Sequence, residues 1–421
     1  MSAWLENQTM HNIFVSPDQR FLPIMRIVND ALHNDVVFWT LTQDFCEVIK
    51  NVDLKSECIA SLIDAPARND ATRMAAAIVS NISKASQRND IYNVAKNSGA
   101  TIAVARWLND NLDMFMYNSV PNIAAIIVSL NKIKPELIIV HNDVDTVMKP
   151  ICQWGRAHSI PVLHIPHAIY LPNTGRGPVM SDIHDFAMAT HVAAGGPFQA
   201  NWYKERYDLL KLGAQIRITG LPQYDRLANV HPDRERSCKL LSLDTRKPIV
   251  VYFPSWSQDT NILGCHNGLE EAFAAFLETT KRLPECQFIF SAHPNDRNEG
   301  LIKQRIEQAK ATGMPILFCP GHLDVMLSCA DVAISYGNSN VLLEAACVRT
   351  ARLIEIGDPP LVPEVIALGA NPDELEAAIR TSLRQPPPSY NSLINKYLVQ
   401  NGGTATRKIS DWILSLLPKA G

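Results

Sequence analysis

Residues 136–143 read ELIIVHND, and the run LIIV at their centre is apolar without alternation. A strand exposed on one face alternates apolar with polar residues. An unbroken apolar run instead suits a strand buried on both faces, the condition of a parallel sheet covered by helices. The surroundings agree. Residues 121–133 predict a helix before this strand, 146–158 predict one after it, and PVLHIPH (161–167) predicts the next strand. Toward the N-terminus, NIFVS (12–16) reads as a strand, followed by a helix near 20–33, a second strand VVFWTL (36–41), a polar, Ala-rich helical stretch over 66–100 and a strand TIAVA (101–105). Repeated βα units of this kind build a parallel sheet.

A second series starts further on. PIVVYFP (248–254), QFIFSAHP (287–294), PILFCP (315–320), DVAISYGNS (331–339) and ARLIEIG (351–357) read as strands, with helices over 268–282, 298–312 and 340–347 and a short helix before Asp331. Between the two series, 226–247 is charged and carries no strong apolar run. The expected organisation is therefore an α/β chain: an N-terminal Rossmann-like domain over 1–225, a link over 226–247 and a C-terminal Rossmann-like domain over 248–400, facing each other across a cleft. RQPPPS (384–389) breaks the chain, and TRKISDWILSLL (406–417) places Ile409, Trp412, Ile413, Leu416 and Leu417 on one helical face. A terminal helix over 401–421 packed back on the N-terminal domain is the expectation. A contact with a membrane surface is the other use of such a face.

The chain has 421 residues, enough for two or three domains. Hydrophobic residues make up 47% and charged residues 19%, as in globular proteins that bury a core. Lys and Arg number 39 against 42 Asp and Glu, and this net charge of −3 argues against a dedicated nucleic-acid binder. The nine cysteines are odd in number, irregularly spaced and without a CxxC pair, which points away from zinc or a disulfide framework and toward a reducing compartment. The N-terminus shows no basic segment followed by an apolar one. NIAAIIVSL is far shorter than the ~20 residues a membrane-spanning helix needs. The expectation is a cytoplasmic protein, at most peripheral on the inner face of a membrane.

In open parallel sheets ligands bind beyond the carboxyl ends of the strands, so the polar residues standing there are the candidates. HNDVD (141–145) follows LIIV; Asp143 is either a reacting carboxylate or a helix cap. His167 follows PVLHI and has the residue type of a general base acting on an acceptor hydroxyl. His164, inside that strand, reads as a hydrogen-bonded core histidine. In the second half, His293 and Pro294 end one strand. Ser255, Ser257 and Thr260 flank Trp256 after another. In SYGNSN (335–340), Gly337 permits a close turn, and Ser339 and Asn340 stand where a helix begins and an anion can be held. Glu344 falls one turn on, where a carboxylate accepts hydrogen bonds from ribose hydroxyls or simply faces solvent.

The order of GPFQANWYKERY, RITGLPQYDRL (217–227), KPIVVYFPSWS (247–257), FSAHPND and CADVAISYGNSNVLLEAA resembles the CDP-glycerol glycerophosphotransferase-like group of GT-B glycosyltransferases. That group includes capsule and surface-polysaccharide enzymes and is distantly similar to UDP-GlcNAc 2-epimerases. The resemblance covers about 130–415. It implies a GT-B fold, a nucleotide-activated donor on the C-terminal domain and an acceptor on the N-terminal one. It also implies His167 as catalytic base, His293 and Pro294 at the donor nucleotide or phosphate, and Ser335, Ser339 and Glu344 holding the donor.

Three positions depart from the group. Ala168 stands for a Gly, Pro172 for a Lys, and Ser257 for a phosphate-binding Arg. With two cations gone, a sugar donor, CMP-activated and acidic or of UDP type, suits the site at least as well as a polyol phosphate. The sequence thus leads to a metal-independent transferase with no cofactor beyond its CMP-, CDP- or UDP-activated substrate. Its acceptor would be a bacterial surface glycan, free or lipid-linked, and its base His167 or Asp143. Two alternatives are an isomerase like UDP-GlcNAc 2-epimerase and a non-catalytic nucleotide- or glycan-binding module.

Overall fold

A computed structural model describes residues 10–84, 119–143, 147–169, 188–228, 230–254, 267–292, 299–337, 339–357, 361–399 and 403–418. Two all-parallel sheets organise them. The first has seven strands: β1 (His11–Val15), β2 (Val36–Thr40), β3 (Ser56–Cys58), β4 (Leu137–Val140), β5 (Val162–His164), β6 (His191–Ala194) and β7 (Gln215–Ile218), in the order β3-β2-β1-β4-β5-β6-β7. The second has six: β8 (Ile249–Phe253), β9 (Gln287–Phe290), β10 (Ile316–Phe318), β11 (Val332–Tyr336), β12 (Arg352–Ile356) and β13 (Ile366–Leu368), in the order β10-β9-β8-β11-β12-β13. These are two Rossmann-like domains. In each the strand order reverses at one place, between β1 and β4 and between β8 and β11, and a crevice opens at such a reversal.

The run LIIV is buried at all four positions. Leu137 and Ile139 join Ile13, Val15, Phe38 and Leu163 on one face, while Ile138 and Val140 join Phe14 and Val162 on the other. Successive side chains alternate across the sheet, so helices on both faces leave no position for a polar residue. The second sheet behaves alike, with Ile249, Val251 and Ala333 on one face and Val250, Tyr252, Val332 and Ile334 on the other. Strand TIAVA and the later part of the 66–100 stretch lie outside the described residues.

The helices that matter for the site are α1 (Leu22–Ala31), α2 (Pro197–Leu209), α3 (Pro222–Ala228), α4 (Arg234–Leu241), α5 (Leu323–Cys329), α6 (Val341–Val348), α7 (Asn391–Tyr397) and α8 (Ala405–Leu416). The segment 226–247 is folded rather than extended. Asp233 caps α4 by accepting from the Arg236 N–H at 2.9 Å. Arg234 donates to the carbonyls of Thr245, Lys247 and Cys329 and to Asp331, fastening α4 to the C-terminal sheet.

After the second sheet the chain crosses back. α7 packs against both α2 and α6, and it passes so close to Gly196 that a methyl group there would meet the Tyr397 carbonyl. α8 then docks on α1. Its Ile409, Trp412, Ile413 and the following Leu417 enter the core with Phe21, Ile24 and Val28. Arg217 lies over the Trp412 ring, 4.5 Å from its centroid. The apolar face of this helix is thereby covered by protein and is not free to lie on a membrane. The Asp225 carboxylate, at the end of the N-terminal domain, accepts from the Ala405 and Thr406 N–H groups and caps α8 at 3.0 and 2.7 Å. Among the described residues no helix is long and apolar enough to cross a membrane.

The domains share one apolar seam. Ile169, Leu221, Tyr224 and Leu227 from the N-terminal side join Leu342, Leu343 and Tyr397 in a single buried cluster. The carboxyl ends of the two sheets meet along this seam.

Candidate functional site

The reversal in the first sheet places Ser16, just past β1, beside His141, just past β4. The fully buried Ser16 Oγ accepts from the His141 N–H at 3.0 Å and lies 2.8 Å from His141 Nδ1. The His141 ring meets that of His167 edge to face, with centroids 6.4 Å apart.

His164 is fully buried, as its place inside a strand predicts. Its Nε2 donates to the His141 carbonyl at 3.3 Å, and its Nδ1 lies 3.3 Å from the Tyr203 hydroxyl and 3.4 Å from Asp143 Oδ1. Burial lowers its pKa, with Asp143 pulling the other way, so the ring is neutral. Asp143 corrects the expectation. Only 2% exposed, it accepts from the Met188 and Ala189 N–H groups at 2.8 and 3.1 Å. It does not cap the following helix. It anchors the chain entering β6.

The loop after β5 is held at successive carbonyls. The His167 carbonyl accepts from Arg20 and, at 3.2 Å, from Gln223 Nε2. The Ala168 carbonyl accepts from Gln199 Nε2 at 3.0 Å. Asp18 orients Arg20, accepting from its Nε at 2.8 Å and pairing with its outer nitrogen. The His167 ring keeps an exposed edge but is dehydrated on its packed side. That dehydration, followed by the charge of Arg20 and the rings of His141 and His164, lowers its pKa to about 4. At neutral pH it is an uncharged proton acceptor.

Across the seam, Gly337 ends β11 with φ 74°, a conformation L side chains disfavour, and turns the chain toward α6. Ser339 Oγ accepts from the Val341 N–H at 3.4 Å. Glu344, in the first turn of α6, has its carboxyl pushed up to about 7 by burial, which Arg226 and Arg20 only partly offset. Asn340 does not cap its helix; its amide bonds to Ile169 of the other domain. Ser335 is a second correction. It is 1% exposed, and its hydroxyl hydrogen-bonds the buried Glu355 carboxyl directly opposite on β12. Its side chain is part of the sheet interior. Ser257, His293 and Pro294 lie outside the described residues. Among the described residues no three His, Cys, Asp or Glu side chains converge as a metal site.

The structure thus gathers His141, His167 and Glu344 with two cations the sequence reading passed over, Arg20 and Arg226. Arg20 had a signal. It follows the first strand in SPDQRF, at the sheet reversal, where the next polar residues face a ligand.

No protein-family model matches the chain, and no curated protein matches it by sequence. Solved structures do match in shape. UDP-GlcNAc 2-epimerase from Neisseria meningitidis, solved with UDP-GlcNAc, superposes with a TM-score of 0.58 at 12% identity, covering 96% of this chain and 100% of that one. Anabaena HepE, solved with UDP-glucose, gives 0.54 at 11% identity over 96% and 99%. A glycosyltransferase from Rickettsia africae gives 0.50 at 12% identity over 97% and 99%. At such identities the likeness establishes the fold: the chain has the two-domain GT-B architecture these enzymes share.

Proposed function

We propose that the seam between the sheets binds a nucleotide-activated sugar and that the protein transfers the sugar to a glycan acceptor. The observation that carries this reading is the meeting of two strand-end groups: the His167 loop from the first sheet and the Glu344 turn from the second, with Arg20 near both and Arg226 near Glu344. A nucleotide sugar needs these features. The Glu344 carboxylate accepts from ribose hydroxyls, the two guanidiniums offset the diphosphate, and a neutral imidazole takes a proton. The acceptor oxygen bonds to the anomeric carbon as its proton passes to His167. The bond from that carbon to the diphosphate breaks, and the nucleoside diphosphate leaves with the electron pair. A bound diphosphate also offsets the Arg20 charge on His167, strengthening the base when it is needed.

Among nucleotides the reading favours a UDP-type donor, because matching folds have been solved with UDP-GlcNAc and UDP-glucose. A CMP-activated acidic sugar and a CDP-linked polyol are the competing donors. One second reading has its own support: His141, His167 and Glu344 offer three proton-handling groups along one seam, as an epimerase of the UDP-GlcNAc 2-epimerase kind requires. Incubation with UDP-GlcNAc, a CMP-activated acidic sugar and CDP-glycerol, in D2O, separates the readings. Release of nucleotide that increases with added glycan supports transfer. A new UDP-sugar epimer carrying deuterium, with no nucleotide released, supports epimerisation. No change in any donor leaves a binding module.

A further inference from the structure

Asn340 stands at the N-cap of α6, where an asparagine ordinarily accepts from the N–H groups of its own helix. Here it does not. Its Oδ1 accepts from the Ile169 N–H at 2.9 Å, and its Nδ2 donates to the Ile169 carbonyl at 3.0 Å. The Tyr224 hydroxyl donates to the same Oδ1 at 3.1 Å. The side-chain amide therefore pairs with a backbone residue as a neighbouring strand would, across 171 positions of sequence and across the domain seam. Its orientation follows from the partners, since a flipped amide would set donor against donor. Its partners Ile169 and Tyr224 are buried, and the amide itself is half-buried, so solvent reaches these bonds on one side only.

The paired peptide is two residues beyond His167, in a loop whose other carbonyls are held by Arg20, Gln223 and Gln199. Those three donors all belong to the N-terminal domain. Asn340 holds this loop from the helix that carries Glu344.

We propose that Asn340 is a positioning residue: its amide clasps the Ile169 peptide and so fixes the His167 loop against the first turn of the Glu344 helix. The inference rests on the proposed site for its importance but not for its test, which reads the imidazole in the free protein.

The groups that face His167 are Arg20, His141 and His164. If the clasp keeps the ring among them, breaking it lets the ring rehydrate. The experiment follows the histidine Cε1–H signals by NMR through a pH titration, with the His167 signal identified by its loss in His167→Gln. The variants are Asn340→Ala, Asn340→Leu and the milder Tyr224→Phe, which removes one of the three bonds and keeps the fold testable if the others do not fold. In Asn340→Ala and Asn340→Leu the His167 midpoint is expected to rise by about one pH unit or more toward the ordinary value, with a smaller rise in Tyr224→Phe. Where turnover is measurable, kcat falls by about tenfold while the donor KM changes little. An unchanged His167 midpoint in folded Asn340 variants, or in Tyr224→Phe should those not fold, overturns the clasp. Failure to turn over any nucleotide sugar overturns the functional reading and leaves the NMR result standing.

Discussion

Glu344→Gln should make the protein's stability less dependent on pH, and the size of the effect follows from the site. The carboxyl titrates at about 7 in the folded chain, and burial is the largest cause. In an unfolded chain it titrates near ~4.3. The folded state therefore holds the proton more tightly. The resulting stabilisation is complete below about pH 4, declines as pH rises, and is gone above about 7. The full difference is worth about 4 kcal/mol. Because part of the side chain reaches solvent and Arg226 and Arg20 stand nearby, about 2 kcal/mol is the working expectation. Other carboxylates and histidines titrate over the same range, so the quantity to measure is the difference between variant and wild type. Urea unfolding followed by circular dichroism at pH 5, 6, 7 and 8 supplies it. The glutamine variant, neutral throughout, should gain on wild type by about 2 kcal/mol between pH 5 and 8. A constant offset across that range would refute the buried carboxyl. The same ionisation touches function. If ribose hydroxyls donate to the carboxylate, UDP affinity of the wild type rises through pH 7, and that of the variant does not.

Three further outcomes are expected. His167→Ala should lower turnover by about 10²–10⁴-fold with donor binding preserved; full activity with the true donor and acceptor would remove the base from this position. Gly196→Ala sets a methyl group against the backbone of Tyr397 and Leu398 and should cost about 1–3 kcal/mol in a chemical denaturation, whereas an unperturbed midpoint would mean the crossing chain yields freely. Asp225→Ala removes the cap from the terminal helix and should cost about 1–2 kcal/mol. Hydrogen exchange at 405–416 is the sensitive readout, and unchanged protection there would contradict the capping role.

Much of the architecture was legible because apolar runs and strand ends are local signals. LIIV, IVVYF and the DVAISY stretch each declare a strand buried on both faces. Strands β3, β6, β7 and β13 escaped notice: they are three or four residues long, and edge strand β7 has exposed residues at three of its four positions. The site was legible only in part. Strand ends pointed to His167 and Glu344, but what a polar residue does there depends on partners far away in sequence. Ser335 shares the parity of Ala333 and faces inward; the Glu355 that receives it is set by strand register, which no local pattern reveals. Asp143 meets the Met188 peptide 45 residues on, and Asn340 meets Ile169. Arg20 and Arg226 join the site only because the two domains close on each other.

The measurement that bears most directly on the account is the binding of UDP to wild type, Glu344→Ala and Ser339→Ala by isothermal titration calorimetry. If the seam holds a nucleotide-activated sugar through the first turn of α6, wild type binds UDP, and the loss of a hydrogen bond to the Glu344 carboxylate weakens it by about tenfold or more, with a smaller loss at Ser339. Equal affinity in all three folded proteins, or no binding of UDP, CMP or CDP by the wild type, would contradict it.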